Sequence, residues 1–193
     1  MVARFVIPSS FKGKYVTLRQ ICSDDTDELT GAGKGVDWTW MSSQPENRLE
    51  MENWVKERIS DMDNGRAATF VVLLNPSEEV VGSTSLMELR EKDKGLEIGR
   101  TWYSPHSQGT KVNPECKYIL LSFAFDVLGA IRVQLKTDHM NFHSQNAIKK
   151  LGAVYEGELR NHMIRRDGTI RHTRMYSIIR EEWSGVKKRL EER

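Results

Sequence analysis

The chain has 193 residues, of which 38% are hydrophobic and 29% are charged, and its net charge at pH 7 is +2. This length favours one domain, residues 1–193, and the composition is that of an ordinary globular protein. So small a net charge gives no indication of a nucleic-acid partner. Two cysteines are too few for a disulfide framework. The chain has no signal-peptide pattern and no apolar run of about 18 residues, so we expect a cytoplasmic protein without a membrane partner.

The first half of the chain predicts one strand, then two helices and then three strands. A helix is expected after Ser23, whose hydroxyl can cap it and which precedes acidic residues suited to a first turn. A second helix is expected over residues 44–62, where apolar side chains recur on a broad face until Asn64 and Gly65 end the pattern. Aliphatic and aromatic runs predict strands at residues 15–19, 67–74, 80–87 and 96–103.

The segment SPHSQGTKVNPECK, residues 104–117, joins the fourth predicted strand to an amphipathic helix. Asn113 is a favoured N-cap residue, and Pro114 suits the first helical position because its missing N–H is not needed there. A helix N-terminus presents unpaired N–H groups and the positive end of the helix dipole. The segment therefore predicts a site for a phosphate or another anion.

The remainder of the chain predicts a strand, a short helix and a hairpin. The helix is expected over residues 142–151 and ends at Gly152, while Asp167 and Gly168 are a strong hairpin turn signal. The strands are predicted at residues 132–136, 154–165 and 170–179. This order of elements predicts one domain of the mixed α/β or α+β class.

The order of elements and the motif TDHMNFHSQNAIKKLGA, residues 137–153, resemble the GNAT acetyltransferase superfamily, in particular its RimJ/RimL-like branch. The resemblance extends over residues 12–183. It implies a GNAT-like fold, in which helices flank a central mixed and mostly antiparallel sheet. It also implies acetyl-coenzyme A (acetyl-CoA) as cosubstrate, coenzyme A (CoA) as product and no metal.

In this superfamily, the loop after the fourth strand has the pattern Gln/Arg-x-x-Gly-x-Gly/Ala, and its backbone amides hold the pyrophosphate of acetyl-CoA. The corresponding residues here are Gln108, Gly109, Thr110, Lys111, Val112 and Asn113. Lys111 and Asn113 stand where small residues are usual. Both still supply backbone donors at the helix start, and the lysine adds a positive charge near the phosphates.

A second motif, Asn-x-x-Ser-x-x-Ala-Ile-x-x-Leu-Gly-Ala, begins at Asn141 and matches the RimJ/RimL pattern at each marked position. In the family, the asparagine contacts the pantetheine arm of the cofactor. The alternative is that Asn141 is only an N-cap and Ser144 its third-position companion. The aliphatic positions of the motif are then an ordinary core stripe.

Acetyl transfer to an amine requires a base, because the amine attacks a thioester only when it is neutral. A lysine amine titrates near ~10.4 and an α-amine near ~8, so both are mostly protonated at pH 7. Glu97 is the candidate base, since its place mid-strand predicts a burial that raises its pKa. Its position resembles that of the strand glutamate in some GNAT enzymes. The alternatives are a solvated glutamate and an ion pair with an arginine of the neighbouring strand.

The general acid is less defined than the base. Many GNAT enzymes place a tyrosine where this chain has Ile148, and Ser144 resembles the serine proposed to protonate the leaving thiolate in RimL-type enzymes. Helix capping explains Ser144 equally well, and a thiol pKa near ~8.5 allows the thiolate to leave unaided. In the family, a splayed strand leaves the backbone N–H groups of Trp102 and Tyr103 free to polarise the acetyl carbonyl.

The acceptor site of the family borders the region after the first helix. This implies substrate contacts from three residues, although core packing is expected for at least one tryptophan: Trp38, Trp40 and Met41. His139 and His143 have i, i+4 spacing but no third ligand, so no metal is expected. The basic segment 160–174 lacks an aromatic stacking motif, which makes an RNA-binding module a weaker hypothesis.

The sequence thus predicts an N-acetyltransferase that moves the acetyl group of acetyl-CoA to a primary amine, either a protein N-terminus or a small molecule. A CoA-binding sensor with weak catalysis is the main alternative, because Lys111 departs from the loop pattern and the tyrosine is missing. A homodimer is left open. The acceptor is not determined by the sequence, because acceptor loops vary freely around this scaffold.

Overall fold

The structure, a computed structural model, describes residues 5–192. One sheet contains the strands β1 Ser10–Lys12, β2 Val16–Gln20, β3 Ala67–Leu74, β4 Val80–Arg90, β5 Gly95–Tyr103, β6 Arg132–Asp138, β7 Val154–Ile164 and β8 Ile170–Ile179. The α-helices are α1 Thr26–Ala32, α2 Arg48–Asp63, α3 Val112–Ser122, α4 Phe142–Leu151 and α5 Arg180–Glu191. The strand order is β1-β2-β3-β4-β5-β6-β8-β7, and among these described strands only β5 and β6 pair in parallel. The predicted fold class, a mixed and mostly antiparallel sheet flanked by helices, is therefore confirmed.

The sheet separates two hydrophobic cores. The larger core lies on one face, where α3, α4 and α5 pack with Val133 and Leu135 of β6. The smaller core lies on the other face and is built around the tryptophans of α2, β5 and the loop after α1. Because side chains alternate along a strand, Gln134 and Lys136 point to this second face, which we call the α1/α2 face.

Strands β5 and β6 separate after a short stretch of pairing. Only Gly95–Glu97 pairs with Arg132–Gln134, although both strands continue beyond these residues. A β-bulge bends β5 at Arg100, which has a φ of +49°, so that Arg100 and Thr101 both lie opposite one residue of β4. The result is an open wedge between residues 98–103 and residues 135–138, which we call the β5–β6 gap.

Several predicted elements match the structure, and helix α4 has the predicted bounds. Helix α2 begins four residues later than predicted, because Asn47 caps it by accepting a hydrogen bond from the Glu50 N–H at 3.0 Å. The prediction that Ser23 caps the first helix was wrong. The carboxylate of Asp25 instead accepts the N–H of Cys22 at 2.7 Å.

The prediction that Asn113 caps the central helix was also wrong. Helix α3 begins at Val112 and its N-cap is Lys111, so Asn113 is already the second helical residue. The Oδ1 atom of Asn113 accepts a hydrogen bond from the Tyr103 hydroxyl at 3.2 Å instead of from the helix backbone. Two elements that the sequence pattern did not predict are β1 and α5. No helix in residues 5–192 is long and apolar enough to span a membrane.

Candidate active site

Glu97 lies at the apex of the β5–β6 gap, on the α1/α2 face, and is only 1% exposed. Its Oε2 atom accepts a hydrogen bond from Gln134 Nε2 at 3.0 Å and lies 3.0 Å from Lys136 Nζ. Burial raises the pKa of Glu97, and it outweighs the hydrogen bond from Gln134 and the charge of Lys136, which lower it. The carboxyl is thus both buried and ion-paired, with a lysine where an arginine was expected. A raised pKa brings a carboxylate closer to the strength that a general base needs at neutral pH.

A polar network on the α1/α2 face surrounds Glu97. Lys136 also binds Glu88 at 2.9 Å, and Gln134 donates to Glu88 at 2.8 Å. The amide oxygen of Gln134 accepts hydrogen bonds from the guanidinium of Arg90 at 3.2 and 3.3 Å. Burial lowers the pKa of Lys136, but the two carboxylates outweigh it and keep the amine protonated. These contacts fix the orientation of the Glu97 carboxylate from the side of β6.

The backbone of Tyr103 faces the β5–β6 gap. The Ser104 N–H donates to Val81 O of β4 at 2.8 Å, and N–H groups of successive strand residues point to opposite edges. The Tyr103 N–H therefore points away from β4, whereas the Trp102 N–H points toward Ser83, its partner in β4. Of the two predicted donors, only Tyr103 faces the gap.

The loop of residues 108–113 carries the predicted donors to the N-terminus of α3. Gly109 has a φ of +74°, which glycine adopts without strain. The Gln108 amide donates to Tyr103 O at 3.0 Å and ties the loop to β5. The N–H groups of Lys111 and Asn113 make no hydrogen bond within residues 5–192. The N–H groups of Gly109 and Thr110 also lack a partner there, so four free donors and the positive end of the α3 dipole form a site that suits a phosphate.

The remaining loop residues shape this turn. The Thr110 hydroxyl donates to Ser107 O at 2.7 Å and accepts the Val112 N–H at 3.3 Å, which leaves the Val112 N–H paired inside the loop. The Val112 side chain is buried in the larger core. The Thr110 hydroxyl and the Val112 side chain thus hold the turn in place.

A second lysine, which sequence reasoning missed, stands beside this loop. Lys14 Nζ lies 5.1 Å and Lys111 Nζ 5.2 Å from the centre of the Tyr15 ring. The carboxylate of Glu115, in the first turn of α3, accepts the backbone N–H groups of residues 14–16 at 2.7 Å each. The β1–β2 turn is thereby fixed against α3. In the sequence, the positive charge of Lys14 is the only sign of its place beside the loop. The Glu115 carboxylate that fixes it there is 101 residues away in the chain.

Asn141 and Ser144 lie where β6 leads into α4, at the end of the gap. The Oδ1 atom of Asn141 accepts the Ser144 N–H at 2.9 Å, so the capping alternative is correct for this atom. The Nδ2 group of Asn141 and the hydroxyl of Ser144 make no hydrogen bond in the described part of the chain and remain available to a ligand. Ile148 is buried in the larger core, so no hydroxyl takes the place of the family's tyrosine.

The predicted substrate residues have different environments. Trp38 is 5% exposed and packs against Trp102 at a centroid distance of 4.9 Å, so it belongs to the smaller core. Trp40 and Met41 are half-buried in the loop between α1 and α2. The same loop contacts the tip of the β7–β8 hairpin, where Arg166 donates a hydrogen bond to Gln44. Loop and hairpin thus meet at the border of the α1/α2 face, beyond the end of β6.

The histidines and the basic segment, which were considered for metal and RNA binding, have the following surroundings in the structure. His139 packs against His172 at a centroid distance of 4.7 Å. Over residues 5–192, no group of three or more His, Cys, Asp or Glu side chains is arranged to hold a metal ion. In the basic segment, Arg174 pairs with Glu158 at 3.2 Å, so part of its charge is neutralised within the hairpin.

A family model of the GNAT acetyltransferase domain matches residues 16–154, most of the chain. The chain belongs to the GNAT acetyltransferase family. It is therefore an acyltransferase, and GNAT acetyltransferases use acetyl-CoA as the acetyl donor. A search of curated proteins found no significant match.

Solved structures of acetyltransferases are similar to nearly the whole chain. A protein from T. thermophilus assigned as an acetyltransferase is 31% identical, with 98% of each chain covered and a TM-score of 0.87. A GCN5-related N-acetyltransferase from Brucella melitensis is 27% identical, with 95% of this chain and 84% of that one covered and a TM-score of 0.88. The Microcin C7 self-immunity acetyltransferase MccE, in complex with acetyl-CoA and AMP, shares the fold at 19% identity, with 90% and 97% covered and a TM-score of 0.77.

Proposed function

We propose that this GNAT protein is an N-acetyltransferase in which a primary amine attacks acetyl-CoA directly and Glu97 removes the proton of that amine. The observation that carries the proposal is the buried carboxylate of Glu97 at the apex of the β5–β6 gap. A carboxylate at this point adjoins both the gap and the open α1/α2 face. The gap suits the thioester, and the open α1/α2 face suits the amine.

In this proposal acetyl-CoA binds along the loop of residues 108–113 and the β5–β6 gap. The free N–H groups of Lys111 and Asn113 bind the pyrophosphate, and the Lys111 ammonium adds an exposed charge beside it. The pantetheine arm follows the gap, where the Tyr103 N–H and the Asn141 Nδ2 group have no hydrogen-bond partner within residues 5–192. These groups fit the polar atoms of a CoA thioester.

In the chemical step, acetyl-CoA supplies the acetyl group as a thioester. Glu97 takes the proton from the bound ammonium, which leaves a neutral nitrogen to attack the carbonyl carbon. A C–N bond forms, the C–S bond breaks, and CoA leaves as the thiolate, while the nitrogen loses its second proton to water or to the thiolate and so becomes the neutral amide. The Ser144 hydroxyl, which has no partner in the described residues, protonates the thiolate when a proton is needed, although a thiol pKa near ~8.5 makes this aid modest.

The branch of the family and the class of acceptor are also part of this proposal. The motif that begins at Asn141 supports membership in the RimJ/RimL-like branch, in which the acceptor is a protein N-terminus or a small-molecule amine. A CoA-binding sensor is the second candidate, because Ile148 leaves the family's tyrosine position without an acid. The cytoplasmic location and the homodimer remain predictions from the sequence.

Two measurements test the proposal. Thermal-shift titration should show stabilisation by CoA and none by a short RNA, since a ligand that binds only the folded state raises its melting temperature. Release of free thiol from acetyl-CoA should then depend on an added amine and fall strongly in Glu97→Gln. Stabilisation by CoA without thiol release from any member of a broad amine panel would establish the sensor instead.

A further inference from the structure

The open α1/α2 face of β6 and β8 carries several charged groups, and all but one of the cations have clear partners. Arg165 binds Asp138 through two hydrogen bonds of 2.7 and 2.9 Å. Lys136 is shared between Glu88 and Glu97. The carboxylates of this face thus form their close contacts with cations other than Arg171, which reaches Asp138 only at 3.9 Å.

Arg171, on β8, is the exception. Its Nε atom donates to the Thr173 hydroxyl at 3.1 Å and lies 3.9 Å from Asp138 Oδ2, beyond hydrogen-bond distance. Its two Nη atoms make no hydrogen bond or ion pair within residues 5–192. The side chain is nevertheless only 16% exposed. The Nη atoms are not among the buried unpaired atoms of the described residues, so solvent reaches this unfilled donor edge and an anion can bind to it.

Arg171 lies on the same face of the sheet as Glu97. The Cα atoms are well separated along the strands, because Arg171 is six residues from Ser177, the residue of β8 that lies level with Gln134 and Glu97. The Arg171 side chain, however, reaches Asp138 of β6, which is two residues from Lys136, the partner of Glu97. Burial lowers the pKa of Arg171, whereas the charges of Asp138 and Glu97 raise it. The guanidinium therefore lies within electrostatic reach of the Glu97 carboxylate. The contact between Arg166 and Gln44 borders the same face.

We propose that Arg171 binds a carboxylate of the acceptor, so that the substrate class is an amine that also carries a carboxylate. This inference rests on the proposed function, because it requires Glu97 to receive the amine of the same molecule. The planar guanidinium matches a carboxylate with two parallel hydrogen bonds, and both of its free nitrogens are available for them. Arg171 is thus a specificity residue, which touches the acceptor at a distance from the reacting nitrogen.

The test compares acceptor pairs that differ only in the carboxylate. The pairs are γ-aminobutyrate and its amide, 6-aminohexanoate and its amide, and the peptide amides Ala-Asp-Ala and Ala-Asn-Ala. The first two pairs represent free amino acids, and the third represents a peptide with an acidic side chain. Free-thiol release gives kcat and KM for each in the wild type, Arg171→Gln and Arg171→Lys. Arg174→Gln is the matched control, since Arg174 lies on the same strand but contacts Gln145 of α4 on the opposite face.

In the wild type we expect kcat/KM to be at least tenfold higher for the carboxylate member of one or more pairs. Arg171→Gln should lower that value about 10- to 100-fold, mainly through KM, and leave the amide members unchanged, because a hydrogen-bonded charge pair contributes a difference of this size. Arg171→Lys should retain part of the preference. The responding pair identifies the source of the carboxylate.

Equal turnover of carboxylate and amide members by the wild type would overturn the inference and leave the proposed function intact. The inference would also fail if Arg171→Gln lowered both members equally together with the melting temperature, which is the result of a purely structural arginine. Absence of thiol release with every amine is a different outcome, because it would defeat the proposed function itself.

Discussion

The ammonium of Lys136 lies 3.0 Å from Oε2 of Glu97, across the only parallel strand pair in the described sheet. Burial, the hydrogen bond from Gln134 and this contact together determine the pKa of the proposed base. Burial raises the pKa of Glu97, and Lys136 moves it in the opposite direction. The ion pair therefore keeps the carboxylate ionised at a pH where burial alone would favour its protonated form.

Removing this charge should move the pH dependence of the reaction. In Lys136→Met the pKa of Glu97 should rise, so the acidic limb of the kcat/KM profile should shift to higher pH. Lys136→Arg keeps the charge and should leave the limb near its wild-type position. An acidic limb that stays in place in Lys136→Met would show that it belongs to another group.

We expect the replacement of Lys117 to stabilise the folded protein. Its side chain is buried in α3, and its only partner in the described structure is the Thr101 hydroxyl at 2.7 Å. Burial lowers its pKa from 10.5 to about 8. Below about pH 8 the folded protein holds a buried unpaired ammonium, and this penalty disappears as the pH rises toward the unfolded value. Lys117→Met should therefore raise the free energy of unfolding by about 1–3 kcal/mol at pH 7, and by less at pH 10.

Urea unfolding at the two pH values measures this difference. Lys92→Met is the control, because Lys92 is exposed in the turn between β4 and β5 and should change stability little at either pH. Destabilisation by Lys117→Met at pH 7 would show that the Lys117 ammonium gains more from its surroundings than burial costs.

The loop before α3 should bind the cofactor mainly through its backbone. Gly109 has a φ of +74°, which proline cannot adopt, so Gly109→Pro must rearrange the loop as well as remove a donor. We expect the Kd of CoA to rise more than tenfold in this variant. Lys111→Ala should raise it only about threefold, since an exposed charge contributes ~0.2–1 kcal/mol.

Isothermal titration with CoA measures both effects. Lys92→Ala removes an equivalent exposed lysine at the far end of β5 and should leave the Kd unchanged. If Gly109→Pro and Lys111→Ala both bind CoA like the wild type while remaining folded, the loop holds no anion.

The sequence predicts most of the fold because its local signals are strong. Helix α4 has a capping asparagine, an apolar stripe and a terminal glycine, and the three signals agree on its bounds. Helix α5 was missed, although Trp183, Val186 and Leu190 recur at helical spacing and face the larger core. The preference of asparagine for N-cap positions was misleading at Asn113. Its hydrogen bond from the Tyr103 hydroxyl depends on a strand ten residues away, which no local pattern shows.

The candidate site was less accessible to sequence reasoning than the fold. The burial of Glu97 followed from its strand, but its partner Lys136 is set by the register of β5 against β6, which no local pattern encodes. The same holds for Lys14, which the carboxylate of Glu115 fixes near Lys111. Arg171 was only one of several basic residues in its hairpin until the partners of the others were known.

The most direct test of the central claim is the rate of acetyl transfer by Glu97→Gln across pH 6 to 9, measured with CoA affinity and thermal stability on the same preparation. Glutamine keeps the shape and the hydrogen bonds but cannot take a proton. We predict unchanged CoA affinity and a roughly 10²- to 10⁴-fold lower rate at pH 6, with the loss shrinking toward pH 9, where more of the acceptor is already neutral. Near-wild-type turnover per folded molecule at pH 6 would contradict the assignment of Glu97 as the base.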